Sequence, residues 1–193
     1  IGFEMYQKVL NEAIKELKRT EFRELFKEEI AKQEDYVQDC TIDTDLEVLI
    51  PDDYVENITE RLSLYTRLDY CETDEELQLM REELVDRFGS LPAEVSDLFT
   101  TVKCRRLAVE MGFERLLLKN EQLKSYFISK PDSPYYESET FRQILSFLQT
   151  GTNKARLKQT GKLIYLIAEP IRSMDEVFNF LKQMQGYTKL QTV

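Results

Sequence analysis

Paired carboxylates are the residues of this chain whose side chains could take part in catalysis or bind a metal ion. They stand at Asp52–Asp53, Glu75–Glu76 and Glu82–Glu83. A divalent metal site or a glycosidase site needs carboxylates that converge on one point, whereas neighbours on a helix point about 100° apart. The chain has no histidine, which removes the commonest general base and metal ligand. We therefore expect no catalytic site and no metal site, and we interpret the pairs as helix caps and solvated faces.

Gly151 and Gly161, the latter followed by Lys162, form a pattern that is only superficially like a phosphate-binding loop. Nine residues separate the two glycines where that motif has four, and Leu163 stands where serine or threonine would bind magnesium. A hairpin turn explains Gly161 better. We expect no cofactor.

Three cysteines, Cys40, Cys71 and Cys104, are widely separated and odd in number. This spacing gives neither a disulfide framework nor a CxxC metal site, and it is typical of reduced thiols in a cytoplasmic protein. The chain opens on Ile1 rather than methionine and shows neither a signal peptide nor an apolar run of the roughly 20 residues that span a bilayer. We interpret it as a fragment of a longer cytoplasmic protein.

The charge is divided unevenly along the chain. Residues 1–100 hold 11 basic and 27 acidic residues, and residues 101–193 hold 15 basic and 9 acidic residues. An acidic surface repels a DNA backbone and suits a basic protein partner. The alternative function is an accessory nucleic-acid-binding module that uses the basic C-terminal half, whose charges are scattered along the sequence.

The elements that would position these residues are helical at first. Apolar spacing predicts helices over the first 30 residues, then a polar linker at 31–45, a short strand or extended stretch at Leu46–Ile50, and a helix capped by Asp52 and Asp53. In that helix, we expect Val55, Ile58, Leu62 and Tyr65 to share one face. Thr73 and Glu76 form a capping box that opens the next helix, and Pro92 opens a third helix, which ends at Gly112.

Beyond Gly112 the pattern changes to hairpins. We predict one hairpin from 113–118 and 123–129, a second from 155–159 and 162–168, and two more helices. Tyr135 and Tyr136, between two prolines, could stack on bases, but an ordered loop is the better interpretation. The fold class is therefore α+β, with N-terminal helices followed by a helix-flanked antiparallel sheet of short hairpins.

One helix face is the best candidate for an interaction site. In the helix that begins after Thr73, Leu79, Glu83 and Asp86 lie opposite the predicted core stripe of Leu77, Met80, Leu84 and Phe88. Carboxylates three residues apart can both reach arginines of a partner. Surface leucines and solvated charges are also common, so this pattern alone does not distinguish an interaction site from an ordinary solvated helix face.

Two stretches carry a resemblance to a known family. They are Ile50–Val55 running into Arg61–Leu68, and Glu82–Pro92. Together they resemble the C-terminal domain of the bacterial transcription-repair coupling factor, and Ile1–Tyr6 resembles the helix that leaves the motor domain of that protein. The resemblance covers residues 1–112 well and the remainder weakly.

The resemblance implies a function. The parent protein is an ATP-driven DNA translocase that displaces stalled RNA polymerase and recruits the repair protein UvrA. Its C-terminal domain masks the N-terminal UvrA-binding module through acidic side chains, whose matching positions are Glu83 and Asp86, with Leu79 as an apolar centre. Residues 1–35 would be linking helices and residues 44–193 the regulatory domain. The fragment has no motor motif, so we expect no enzyme activity.

Overall fold

The described part of the chain contains one five-stranded sheet. The structure, a computed structural model, describes residues 36–150 and 155–190, so the helices predicted before residue 31 lie outside the described residues. The strands are β1 (Thr41–Thr44), β2 (Phe113–Lys119), β3 (Gln122–Phe127), β4 (Ala155–Thr160) and β5 (Leu163–Ala168). Their order in the sheet is β1-β2-β3-β5-β4, and β1 is parallel to β2 while the other pairs are antiparallel.

Both predicted hairpins are confirmed, and their turns explain them. Asn120 and Glu121 join β2 to β3 with φ values of 52° and 57°, the left-handed conformation of a tight two-residue hairpin turn. Gly161, at φ 60°, opens the turn between β4 and β5. Each hairpin therefore has the backbone twist that its flanking strands need.

Five helices complete the described part of the chain. They are α1 (Ile58–Asp69), α2 (Asp74–Phe88), α3 (Ala93–Glu110), α4 (Glu139–Gln149) and α5 (Met174–Leu190). The capping box that opens α2 is confirmed, since the Glu76 amide donates to Thr73 Oγ1 at 3.1 Å and the Thr73 amide donates to Glu76 Oε2 at 3.1 Å. The α+β class is confirmed, and none of these described helices is long and apolar enough to cross a membrane.

The prediction for α1 was wrong in its cap, and the apolar face that periodicity selected is not the buried face of the helix. Asn57 caps the helix through a bond from the Glu60 amide, while Asp52 and Asp53 lie in a preceding turn. Leu64 and Leu68 are buried, whereas Ile58 and Leu62 are 65% and 61% exposed. Apolar residues occupy two sides of this helix, and periodicity alone selected the outward one.

The interior consists of two clusters of buried side chains. The helix cluster comprises Ile50, Val55, Leu64, Leu68, Leu77, Met80, Leu84, Val95, Phe99 and Val102. The sheet cluster includes Cys104, Leu107 and Ala108 of α3, Met111 just after it, Phe113, Leu116, Leu123, Phe127 and Leu166 of the strands, Ile144 of α4, and Met174 and Leu181 of α5. Helix α3 thus contributes its first half to one cluster and its second half to the other.

The predicted linker at 31–45 was wrong over its described part. Val37 and Cys40 are buried in the sheet cluster, and Thr41–Thr44 is the edge strand β1. Of the two alternatives for Leu46–Ile50, a strand or an extended stretch, the strand is excluded because the segment is irregular backbone. An edge strand with one apolar residue, Ile42, has too little alternation to be recognised from sequence.

The segment with Tyr135 and Tyr136 is ordered, as the sequence favoured. It forms a 3₁₀ turn, Pro134–Glu137, that buries the Tyr135 ring completely. The Tyr135 hydroxyl donates to the Met111 carbonyl, and the Tyr136 hydroxyl donates to the Ile128 carbonyl. Tyr135 is therefore a core residue and is not available to stack on bases.

Candidate protein-interaction face

The core stripe of α2 fixes which side of this helix faces solvent. Leu77, Met80 and Leu84 are buried in the helix cluster, as predicted. Leu79 lies on the opposite side and is 66% exposed. We define the outer α2 face as Glu75, Leu79, Glu82 and Asp86, all exposed. An exposed leucine among carboxylates has no packing role in the domain.

Glu83 lies at the edge of this face and is bound by arginines of the domain itself. Its carboxylate accepts from Arg67 of α1, with Nη1 to Oε1 at 2.8 Å, and from Arg87 Nη1 at 3.0 Å. Arg87 also pairs with Glu60 of α1 at 2.8 Å. These four charged side chains join α1 to α2. The sequence did not reveal the pairing because Arg67 stands 16 residues away on another helix.

The arginines change the acidity of Glu83. The hydrogen bonds from Arg67, reinforced by those from Arg87, lower the pKa of the Glu83 carboxyl to about 2. A carboxyl whose pKa is lower in the folded state stabilises the fold above its ordinary pKa. This contribution disappears as the pH falls from the ordinary value toward about 2.

Replacing Glu83 by glutamine should lower the free energy of unfolding by about 0.2–1 kcal/mol at neutral pH, because the charge-assisted pairing is lost at a partly exposed site. The deficit should shrink at about pH 3, where wild-type Glu83 is itself becoming protonated in the unfolded state. Urea titrations at both pH values measure it. Glu82→Gln is the matched control, since Glu82 accepts only from the Gln78 side chain in the described structure. A deficit that is equal at both pH values would contradict the ion-pair explanation.

Asp86 differs from Glu83 in being free. It is exposed, and among the described residues it has neither an ion pair nor a side-chain hydrogen bond. Leu79 and Asp86 are therefore both exposed on one face of α2, two turns apart, and Glu83 between them is already paired. A partner arginine could bind Asp86 without competition.

Two arginines of α3 hold the connection between α1 and α2. Arg105 donates to the Asp69 side chain at 2.5 Å and to its carbonyl at 3.2 Å. Arg106 donates to the Glu72 carbonyl at 2.7 Å and to the Asp74 carboxylate. Sequence reasoning did not identify these contacts, which fix where α2 begins and hence the direction of its outer face.

The same region contains an open groove of 540 Å³ between β1, α1 and α3. Cys40 lines it, but desolvation by burial, aided by nearby Asp39, raises the pKa of this thiol to about 12. Burial raises the pKa of Cys104 to about 12 as well. Both thiols are protonated at neutral pH, and a protonated thiol is a poor nucleophile.

Comparisons with known proteins agree with this architecture. The model of the TRCF domain family matches residues 44–138. The transcription-repair-coupling factor of Rickettsia bellii is 32% identical over 167 residues, which is 86% of this chain and 13% of that protein. The Haemophilus influenzae protein of the same name is 35% identical over 116 residues, 60% of this chain and 10% of its own length. The match thus spans only 13% and 10% of the lengths of these two relatives.

A solved structure shares the fold. The crystal structure of a C-terminal domain of transcription-repair coupling factor matches with a TM-score of 0.64 and 15% identity. The match covers 78% of this chain and 94% of that one.

Proposed function

This chain belongs to the family of C-terminal domains of transcription-repair coupling factors, and from that premise we propose that it is an autoinhibitory interaction domain. In this proposal the parent protein is an ATP-dependent DNA translocase that engages stalled RNA polymerase and duplex DNA. The outer α2 face covers the UvrA-binding module near the N-terminus of the same protein. The domain itself has no catalytic role.

One observation carries the proposal: Leu79, 66% exposed, lies on the same face of α2 as the unpaired carboxylate of Asp86, about two helical turns away. An apolar side chain ringed by charge is suited to the centre of a small protein contact. Exposed charge pairs contribute only about 0.2–1 kcal/mol each. A contact of this kind holds two modules together and still opens when another ligand binds the parent.

Glu83 has a different part in this proposal from that of Asp86. Because Arg67 and Arg87 bind its carboxylate, Glu83 keeps α2 in position, and its own charge is largely matched within the domain. Reversing Glu83 would disturb both the contact and the α1–α2 pairing. Asp86 is therefore the residue on which the test should rest.

Asp86→Lys in the full-length parent protein should increase capture of UvrA, because a lysine there repels the arginines of the module and releases it. Coupling energies between linked sites are about 1–3 kcal/mol, so the expected gain in apparent affinity is about 5-fold or more. Biolayer interferometry with immobilised UvrA measures the gain.

The matched control is Asp132→Lys, the same charge change at an exposed loop residue that has no ion pair in the described structure. It should leave UvrA capture unchanged. Equal capture of UvrA by wild type and Asp86→Lys would refute the assignment of the outer α2 face. Equal gains in UvrA capture by Asp86→Lys and Asp132→Lys would show that the change in net charge, and not its position, causes the effect.

A further inference from the structure

The sheet has a second face that the described helices do not cover, although Ile167 at its centre is only 3% exposed. Strand residues alternate between the two faces, and Leu116, Leu123 and Leu166 belong to the sheet cluster beneath α3, α4 and α5. The residues that alternate with them point away from those helices. We call this side the open sheet face.

A row of aromatic and basic side chains crosses the open sheet face. Arg115, Tyr126, Tyr165 and Lys158 are successive ladder partners on β2, β3, β5 and β4. The two tyrosine rings are stacked, with their centroids 5.1 Å apart and their planes inclined by 27°. The Arg115 guanidinium lies 5.9 Å from the Tyr126 ring centre. The row is therefore a short aromatic stack with the Arg115 guanidinium over one end and Lys158 as the ladder neighbour of the other.

One end of this stack is free. The guanidinium lies over Tyr126, whereas among the described residues no ring or cation other than Tyr126 lies over Tyr165. Lys158 stands beside that free side, and it is exposed. A flat π system could extend the stack there by one more ring.

The cations of the open sheet face are only partly neutralised. Arg115 pairs with Asp43, and Arg156 pairs with Glu169. Lys119 and Lys124 have no carboxylate partner among the described residues, and Lys158 shares Glu169 with Arg156. On a protein with a net charge of −10, five basic side chains against the two carboxylates Asp43 and Glu169 are a local excess of positive charge on this sheet face, which attracts a polyanion.

We propose that the open sheet face binds single-stranded nucleic acid, with one base stacked on Tyr165 and the flanking phosphates on Lys158 and Lys124. Strands lie about 4.8 Å apart and residues rise about 3.4 Å along a strand, so these lysines are on the order of 12 Å apart. A few nucleotides bridge that span. Aromatic stacking together with separate cations is the combination that binds single strands without regard to sequence.

The test uses the 193-residue chain and a fluorescein-labelled oligothymidylate of about 20 nucleotides, followed by fluorescence anisotropy between about 50 and 200 mM salt. Lys124→Glu combined with Lys158→Glu should weaken binding about 10-fold or more at the lower salt. It should also reduce the slope of log affinity against log salt by about 1.4, because each phosphate contact contributes about 0.7.

Two further variants separate charge from stacking. Lys130→Glu with Lys182→Glu makes the same charge change at exposed lysines outside the open sheet face, and it should retain the wild-type salt slope. Tyr165→Leu should weaken binding about 5-fold or more through lost stacking, with the salt slope unchanged because the ring carries no charge.

Three results would overturn the proposal. They are no binding at the lower salt, equal weakening by the two double-lysine variants, and displacement of the oligonucleotide by polyglutamate of similar length at equal concentration. The last result would identify an acidic protein segment as the occupant.

Discussion

Gly112→Ala should destabilise the domain by about 2–5 kcal/mol. Gly112 has a φ of +81°, a conformation that costs an L-residue about 1–2 kcal/mol. A Cβ built there would lie 2.2 Å from a ring carbon of Tyr135, and overpacking a core costs typically about 1–3 kcal/mol. The Tyr135 ring is buried, so it has no free space into which to move. Urea denaturation followed by circular dichroism measures the loss.

Gly161→Ala separates the two causes. Gly161 also has a positive φ, +60°, but a Cβ there would meet nothing within 4 Å. This control should lose only the conformational part, about 1–2 kcal/mol. If both variants lost the same amount, the close approach of Tyr135 to Gly112 would have no energetic consequence, and our account of the 3₁₀ turn would be wrong.

Leu84→Ala should cost about 2–5 kcal/mol, the range for truncating a buried leucine and leaving a cavity. Leu84 is fully buried in the helix cluster. Leu79→Ala makes the same chemical change on the exposed side of α2 and should change the free energy of unfolding by no more than about 0.5 kcal/mol. Chemical denaturation of both variants under one set of conditions measures the contrast.

The contrast between Leu84 and Leu79 tests the orientation of α2 on which the proposed contact depends. Leu79→Ala should fold normally and still weaken masking of the UvrA-binding module. If Leu79→Ala were as destabilising as Leu84→Ala, Leu79 would be a core residue and the outer α2 face would not exist as we define it.

The sequence predicted the structure correctly wherever a local rule determined it. Turn residues predicted both hairpins, the Thr73–Glu76 capping box predicted the start of α2, and helical periodicity separated Leu79 from Leu84. It failed where the structure depends on distant partners. Strand β1 exists because β2 pairs with it, and α1 buries Leu64 rather than Leu62 because α2 and α3 cover that side.

For the candidate site, too, the sequence predicted what local spacing determines and missed what depends on distant residues. Periodicity placed Glu83 and Asp86 near one another, but no local pattern distinguishes a free carboxylate from a paired one. Arg67 and Arg87 bind Glu83 through the packing of α1 on α2, and this packing is a tertiary property. The basic residues of the open sheet face are likewise scattered in sequence, since neighbours across a sheet come from different strands.

Helix α3 contributes to both clusters, Phe99 and Val102 to the helix cluster and Leu107 and Ala108 to the sheet cluster. A continuous hydrogen-bonded helix resists bending between its halves. A displacement of one end of α3 therefore moves the other end as well. Loss of packing in either cluster removes the support of one half of α3, the helix on which the other cluster also packs. The described domain should therefore behave as one cooperative unit, in which a force that pulls on the outer α2 face loads the sheet as well.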